Sequence, residues 1–262
     1  MAPKNGPKIL LVDIEVMPME VFCFDLYDPK LNHKNIVKDW SIISYAAQWV
    51  GESKVYYQDQ RNAKDLRDEK KILQEIWDLI NECDIFLGHN SEGFDFPKLN
   101  TRFIKHGFKP IKPDKHIDTL KMAKKHFKVS SNSLEYLLEF LECKNRKTKH
   151  EKYPGMSLFH ALRSGEKGAW EELKKYNIND IAATRELYER IYPWSNHINF
   201  NLYTKELDIV CSCGSTEFVK NGFTWKESGK YQVYICVSCG ARERGRVNLL
   251  SATKKDTLRK RV

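Results

Sequence analysis

The sequence predicts an α/β protein, a sheet flanked by helices, followed by a small cysteine-bearing module. Three observations lead there. Residues 8–16 are an apolar run of strand character, and apolar residues recur at helical spacing within 66–83 and 167–190. Four cysteines then crowd between positions 211 and 239, beyond the last long helix. At 262 residues and 41% hydrophobic content, the chain can bury a full core and still carry a separate small unit.

Charge and cysteine usage narrow the function classes. The formal net charge is +9, which suits a polyanionic partner. From Asp208 to the end, eleven Lys/Arg stand against five Asp/Glu, so +6 of that charge lies in the last fifth. No run of eighteen apolar residues occurs, and Met1–Lys8 lacks the apolar stretch of a secretory signal. A cytosolic protein with no membrane partner is expected. Of seven cysteines, Cys23, Cys83 and Cys143 stand apart and are expected to fill core space as small hydrophobes.

Taken in order, residues 8–16 read as a central strand, followed by strands at 21–27 and 42–50, which suggests an antiparallel meander. In the first strand Asp13 and Glu15 are two positions apart and therefore project from one face. Two like charges side by side on a buried strand resist ionisation, and a hard divalent cation such as Mg²⁺ relieves that repulsion. The segment 54–57 leads into a helix over 66–83, with Ile72, Leu73, Ile76, Leu79 and Ile80 on the sheet-facing side. A short strand then ends at Gly88 and a helix begins near Asp95, where a helix cap is the alternative role for the carboxylate.

From Lys98 to Lys128 there are ten Lys/Arg and only Asp114 and Asp118, a charged run read as a solvated face next to the acidic site. A helix starts at Ser133 with Ser or Asn as its cap, and the loop 143–154 carries Lys144, Arg146, Lys147, Lys149 and Lys152. Helix signals resume at 158–162 and strongly at 167–190, where Tyr176 and Asp180 fall on one face, one turn apart. Pro193 ends that helix, and 195–207 reads as a linker.

Asp13, Glu15, Asp95 and Asp180 with Tyr176 thus follow the order D-x-E, N-x-x-x-F-D (Asn90 to Asp95) and Y-x-x-x-D. In these three ordered motifs the chain resembles the DEDD superfamily of 3′ to 5′ exonucleases, in the subgroup whose third motif carries tyrosine. The resemblance covers residues 8–192 and implies a ribonuclease H-like fold, a mixed sheet flanked by helices. It also implies two Mg²⁺ or Mn²⁺ ions, with Asp13 bridging them, Glu15 and Asp180 completing the first site, Asp95 acting on the second, and Tyr176 orienting the attacking water. Two such ions activate a nucleophile and neutralise charge on the attacking and leaving oxygens. By likeness to the proofreading domains of family-B polymerases, Asn90, Phe94, Ser133 and Leu134 would contact a single-stranded 3′ end; core packing is the alternative for Phe94 and Leu134. The family's phosphate-binding lysine finds four competing positions, Lys144, Lys147, Lys149 and Lys152.

Cys211-Ser-Cys213 and Cys236-Val-Ser-Cys239 read as two metal knuckles on a β-ribbon with turns at 220–222 and 227–229. Four thiolates suit one structural, tetrahedral Zn²⁺, with a disulfide pair or unmetallated thiols as alternatives that a cytosolic setting disfavours. The first knuckle is C-x-C, with Val210 where a C-x-x-C form would have cysteine. Arg242, Arg244, Arg246 and the tail residues Lys254, Lys255, Arg259, Lys260 and Arg261 add nucleic-acid-binding character.

A closer resemblance is to stand-alone ribonuclease H-like exonucleases of phages and bacteria that carry a C-terminal zinc ribbon. It implies a nuclease domain over 1–194, a linker over 195–207, a zinc ribbon over 208–247 and a basic tail over 248–262. The implied activity is a 3′ to 5′ exonuclease on single-stranded 3′ ends in a bacterial or phage-infected cytoplasm, with DNA favoured over RNA, although no residue is assignable to sensing a 2′-OH. Two other readings are a nucleic-acid-binding adaptor with an idle nuclease fold and a structure-specific endonuclease.

Overall fold

A strand buried on both faces sits at the centre of the larger of two compact units, which spans residues 8–188; the second joins the residues ahead of Lys8 to the chain from Glu189 onward. The computed structural model describes residues 6–27, 30–113, 115–146, 152–195, 198–205, 209–226 and 228–259. The central strand is β1 (Ile9–Met17), where Ile9, Leu10, Leu11, Val12 and Ile14 are all buried. Burial of each such side chain contributes roughly 1.5–3 kcal/mol, so this segment anchors the unit.

Two short strands, β2 (Glu20–Val21) and β3 (Ile36–Lys38), pair in a separate antiparallel ribbon. The expected strand over 21–27 is therefore reduced to its first residue. Phe22, Phe24, Leu26 and Tyr27 are exposed, and Cys23 lies on the surface rather than in the core. Strand propensity describes fit to a half-buried pleated surface, and here β4 (Ser41–Trp49), buried from Ser41 to Gln48, takes the place beside β1.

β5 (Val55–Asp59) pairs antiparallel with β4, and α1 (Lys70–Glu82) turns Ile72, Leu73, Ile76 and Ile80 onto the sheet. α1 starts four residues later than its apolar pattern suggests. Glu69, just before it, is fully buried, accepts from the Ile42 N–H at 2.6 Å, and pairs with Arg102 and with His106 at 3.0 Å. β6 (Ile85–Gly88), α2 (Asp95–Lys105), β7 (Lys115–Asp118) and α3 (Thr119–His126) follow. β7 and α3 lie inside the charged run that the sequence presents as a solvated face; Ile117, Asp118, Thr119, Met122 and Ala123 are buried there.

The sheet runs β5-β4-β1-β6-β7, with β4 antiparallel to both β1 and β5 and with β6 and β7 parallel to β1, so it is mixed rather than a simple meander. α4 (Leu134–Phe140), capped by Ser133, α5 (Ser157–Arg163) and the 25-residue α6 (Lys167–Ile191) complete the helices of this unit. Leu10, Val12 and Ile14 pack with α1 and α2, while Met17 and Ile43 pack with Leu158, Leu162, Trp170 and Leu173 on the opposite side. Odd-numbered β1 residues therefore face α5 and α6.

In the second unit, β8 (Phe218–Lys226), β9 (Gly229–Cys236) and β10 (Arg242–Arg244) form a three-stranded antiparallel sheet, followed by α7 (Ala252–Asp256). Residues 220–222 are not a turn but an irregularity inside β8, with Gly222 at φ +65°. Within the stretch read as a linker, Phe200 is buried and the Asn201 amide pairs with both the N–H and carbonyl of Val210. Lys147, Lys149, Glu227, Lys260 and Arg261 lie outside the described residues.

Candidate active site

β1 sets two carboxylates on the face turned toward α6. Asp13 opposes Ala46 and Glu15 opposes Ser44 across β4, and the register shifts immediately after Glu15. Such an irregularity redirects the strand beside the acidic pair. On the other edge, pairing with β6 stops at Leu11, because β6 ends at Gly88 and the chain turns away. The Ile14 N–H beyond that point is taken instead by Asp95 Oδ1 at 3.1 Å.

Asp95 is the first residue of α2, and Phe94 occupies the cap position without a side-chain cap bond. The carboxylate is thus aimed at β1 rather than capping its own helix. The turn that delivers it needs Gly88, since a Cβ there would meet the Ser91 Cβ at 2.5 Å and the Val12 carbonyl at 3.3 Å.

From α6, Asn177 reaches the same strand. Its amide nitrogen donates to the Asp13 carboxylate Oδ2 and, at 3.2 Å, to the Asp13 carbonyl, while its oxygen accepts from the Ser44 hydroxyl at 3.0 Å. Asn177 and Ser44 are fully buried. Asp180, buried one turn further on, approaches Asp13 closely enough to interact with it, and Tyr176 is half-buried on the preceding turn. Asn177 was not singled out from sequence, where it reads as an ordinary polar helix residue.

Asp118 is a second residue that sequence reading left in the charged run. Its carboxylate accepts from the N–H groups of Asn90 at 2.9 Å and Glu92 at 3.1 Å and from those of Leu120 and Lys121 in the first turn of α3. Ser91 and His116 pair at 2.9 Å, as do His89 and Thr119. The loop carrying Asn90, which sits at φ +59°, is therefore pinned to β7 and α3. An Asp directly ahead of a helix is the one sequence signal that could have found it.

The electrostatics follow from this crowding. Burial raises the Asp13 carboxyl well above its ordinary value, and Asp95, Glu15 and Asp180 raise it further, while the Asn177 bond works the other way. Burial likewise pushes Asp95 up to about 7, against the lowering effect of the Ile14 N–H and its own N–H. Buried carboxylates that repel one another are a donor set that fits hard divalent cations. Among the described residues, the set whose ligand atoms all lie within 4.8 Å of one another is the four cysteines.

The expected substrate contacts divide. Phe94 is 39% exposed at the start of α2, and Lys98 Nζ stands 5.1 Å from its ring and 3.9 Å from that of Trp40. Ser133 accepts from the Tyr136 N–H as a helix cap, and Leu134 is buried. The Lys144 N–H is held by Glu186, and Lys152 Nζ lies 5.3 Å from the Tyr153 ring.

In the second unit, Cys211 and Cys239 sulfurs are 3.5 Å apart and those of Cys213 and Cys236 are 3.6 Å apart. Zn–S bonds of about 2.3 Å in a tetrahedron require S···S edges of about 3.8 Å, so the cluster fits zinc despite its C-x-C knuckle. Burial, and the Cys213 and Cys239 sulfurs near its hydroxyl, raise the pKa of the Tyr192 phenol. Burial opposes ionisation of Cys213, yet the Ser215 N–H, the adjacent thiols and the nearby Tyr192 hydroxyl bring it down to about 7.

No helix among the described residues is long and apolar enough to cross a membrane. Comparison with curated proteins gives no match. The family B DNA polymerase from the hyperthermophilic archaeon Pyrobaculum calidifontis shares the fold at TM-score 0.52 and 17% identity, over 71% of this chain and 25% of that one. This chain thus spans about a quarter of that polymerase's length. A family model described as RNase_H superfamily matches residues 31–192, taking in β3 through α6 and three of the five expected catalytic residues, Asp95, Tyr176 and Asp180. With that match over more than half of the chain and a mixed sheet that carries the acidic strand at its centre, the protein belongs to the RNase_H superfamily.

Proposed function

We propose that this chain is a metal-dependent nuclease that removes nucleotides from single-stranded 3′ ends, with DNA favoured over RNA. The observation that carries the reading is the convergence of Asp13, Asp95 and Asp180, from β1, α2 and α6, close enough for each of the others to raise the Asp13 carboxyl. A fold does not need two buried carboxylates crowding a third that is half-buried, and such groups mark functional sites. The order of the motifs, D-x-E, N-x-x-x-F-D and Y-x-x-x-D, supports the tyrosine-bearing class of 3′ to 5′ exonucleases.

Asp13, Glu15, Asp95 and Asp180 would hold two Mg²⁺ or Mn²⁺ ions. Bound there, the ions supply a water of lowered pKa and charge neutralisation at the scissile phosphate. The chain's own groups do the rest. Asn177 fixes the Asp13 carboxylate, Tyr176 orients the attacking water, and Asp118 holds the Asn90 loop in shape beside Phe94, whose exposed ring is available to an unstacked base. The cysteine cluster would hold one structural Zn²⁺, leaving no open position for catalysis. Four free thiols at such a site suit the reducing cytoplasm of a bacterium or an infected host cell.

A time course on 3′- and 5′-labelled DNA and RNA oligonucleotides with Mg²⁺, Mn²⁺ or no divalent ion tests this. Stepwise shortening from the 3′ end in the presence of metal is expected. Internal cuts would make the chain an endonuclease, and no cleavage with any ion would leave it an adaptor.

A further inference from the structure

On β8, Phe223 and Trp225 lie two residues apart and so stand on one face, 44% and 66% exposed. Their partners across β9 are Gln232 and Lys230, which share that face. Lys230 Nζ sits 4.0 Å from the Phe223 ring centroid and 5.9 Å from that of Trp225, a cation held against both rings. Lys220, opposite Tyr234, continues the face beyond the irregularity at 221–222, where Gly222 adopts φ +65°. This alternation of exposed rings and ammonium groups is what a polyanion with flat apolar bases would meet.

We infer that this face of the ribbon is a stacking platform for single-stranded nucleic acid. Two strand rises place the rings about 6.8 Å apart, a step that successive bases of an extended strand can span. Large exposed rings lose unfavourable hydration when a base covers them, and stacking of this kind tolerates any sequence because every base has a π-face. Charge selects the occupant: from Asp208 onward the chain has eleven Lys/Arg against five Asp/Glu, and Lys220 and Lys230 flank the rings themselves. The inference shares with the proposed function the ligand class, a single strand, and does not depend on cleavage.

The test is binding of labelled oligo-dT and oligo-U to the full chain by fluorescence anisotropy with no divalent ion added, so that loss of nuclease activity and loss of binding are separate results. Phe223→Ala and Trp225→Ala are each expected to weaken binding by about 5- to 150-fold, the equivalent of one lost stack. The slope of log K against log salt should stay as in wild type for both, since no phosphate contact is removed. Lys220→Ala should instead reduce the slope by about 0.7. Trp225→Phe should retain most of the affinity, and zinc content measured on each variant reports whether the ribbon is intact. Ultraviolet crosslinking of wild-type protein, mapped by mass spectrometry, should place the oligonucleotide on Phe223 and Trp225. Affinities within twofold of wild type for both alanine variants, or crosslinks confined to residues 8–188, would overturn the inference and make the face a protein-docking surface.

Discussion

Asn177 holds Asp13 at two points, donating to its carboxylate and to its backbone carbonyl from a helix 164 positions away in sequence. The Ser44 hydroxyl, on the strand paired with β1, fixes which way that amide is turned. One buried asparagine thus ties α6, β1 and β4 together at an aspartate whose carboxyl is raised well above its ordinary value. Partners of this kind orient ligands, and their loss typically costs about 10–100-fold in metal affinity or activity. Asn177→Ala should therefore raise the Mg²⁺ concentration needed for half-maximal cleavage by about that factor, with Ser44→Ala giving a smaller shift. An unchanged Mg²⁺ dependence would show that Asp13 is held well enough by the strand alone.

Asp13→Ala should abolish cleavage in Mg²⁺ without lowering the melting temperature of the metal-free protein. It removes a carboxyl that burial and Asp95, Glu15 and Asp180 all disfavour as an anion. Near-wild-type cleavage by this variant would remove Asp13 from the chemistry.

The pH dependence follows from Asp95, raised to about 7 by burial. A carboxyl that binds its proton more tightly folded than unfolded favours folding at low pH. That contribution is complete below the unfolded value of about 4 and is lost as pH rises through about 7. In metal-free protein, Asp95→Asn should gain stability relative to wild type as pH goes from 4 to 8, read from paired thermal unfolding curves. Added Mg²⁺ should narrow the gap at pH 8, where the cation takes the place of the proton. A gap that shrinks with pH before metal is added would contradict the assignment.

Tyr176→Phe should lower the cleavage rate at saturating substrate while leaving Mg²⁺ affinity nearly unchanged, since it removes a hydroxyl but keeps the ring. Calorimetry with Mg²⁺ and single-turnover kinetics separate the two effects. Loss of metal binding with an unaltered rate would reassign the phenol to the metal site.

Arg102→Met should destabilise the larger unit by about 3–5 kcal/mol in urea unfolding, because it takes the guanidinium from the buried Glu69 charge and leaves it the Ile42 N–H and His106. The contact of Arg102 with Asp39, 3.2 Å long and half exposed, adds little. Asp39→Asn should accordingly change stability by less than about 1 kcal/mol. A comparable loss from both would mean that the surface partner matters as much as the buried one.

What the sequence by itself determined were the relationships that lie within one element. Asp13 and Glu15 share a face because a strand repeats every two residues, and Tyr176 and Asp180 do so because a helix repeats every 3.6. The boundaries of α6, the cap at Ser133 and the grouping of four cysteines are legible for the same reason: each is decided by neighbours within a turn or a hairpin. Where local composition competed with tertiary context, it misled. The aromatic segment 21–27 has the makeup of a core strand yet lies exposed, and the charged run 98–128 hides β7, the buried Asp118 and Arg102. Only the fold decided that pairing between β1 and β6 stops at Leu11, so that the Ile14 N–H is open to Asp95, and that Asn177 meets Asp13. Those contacts depend on where strands end and helices cross, and a polar side chain in a sequence carries no mark of whether water or another buried group will satisfy it.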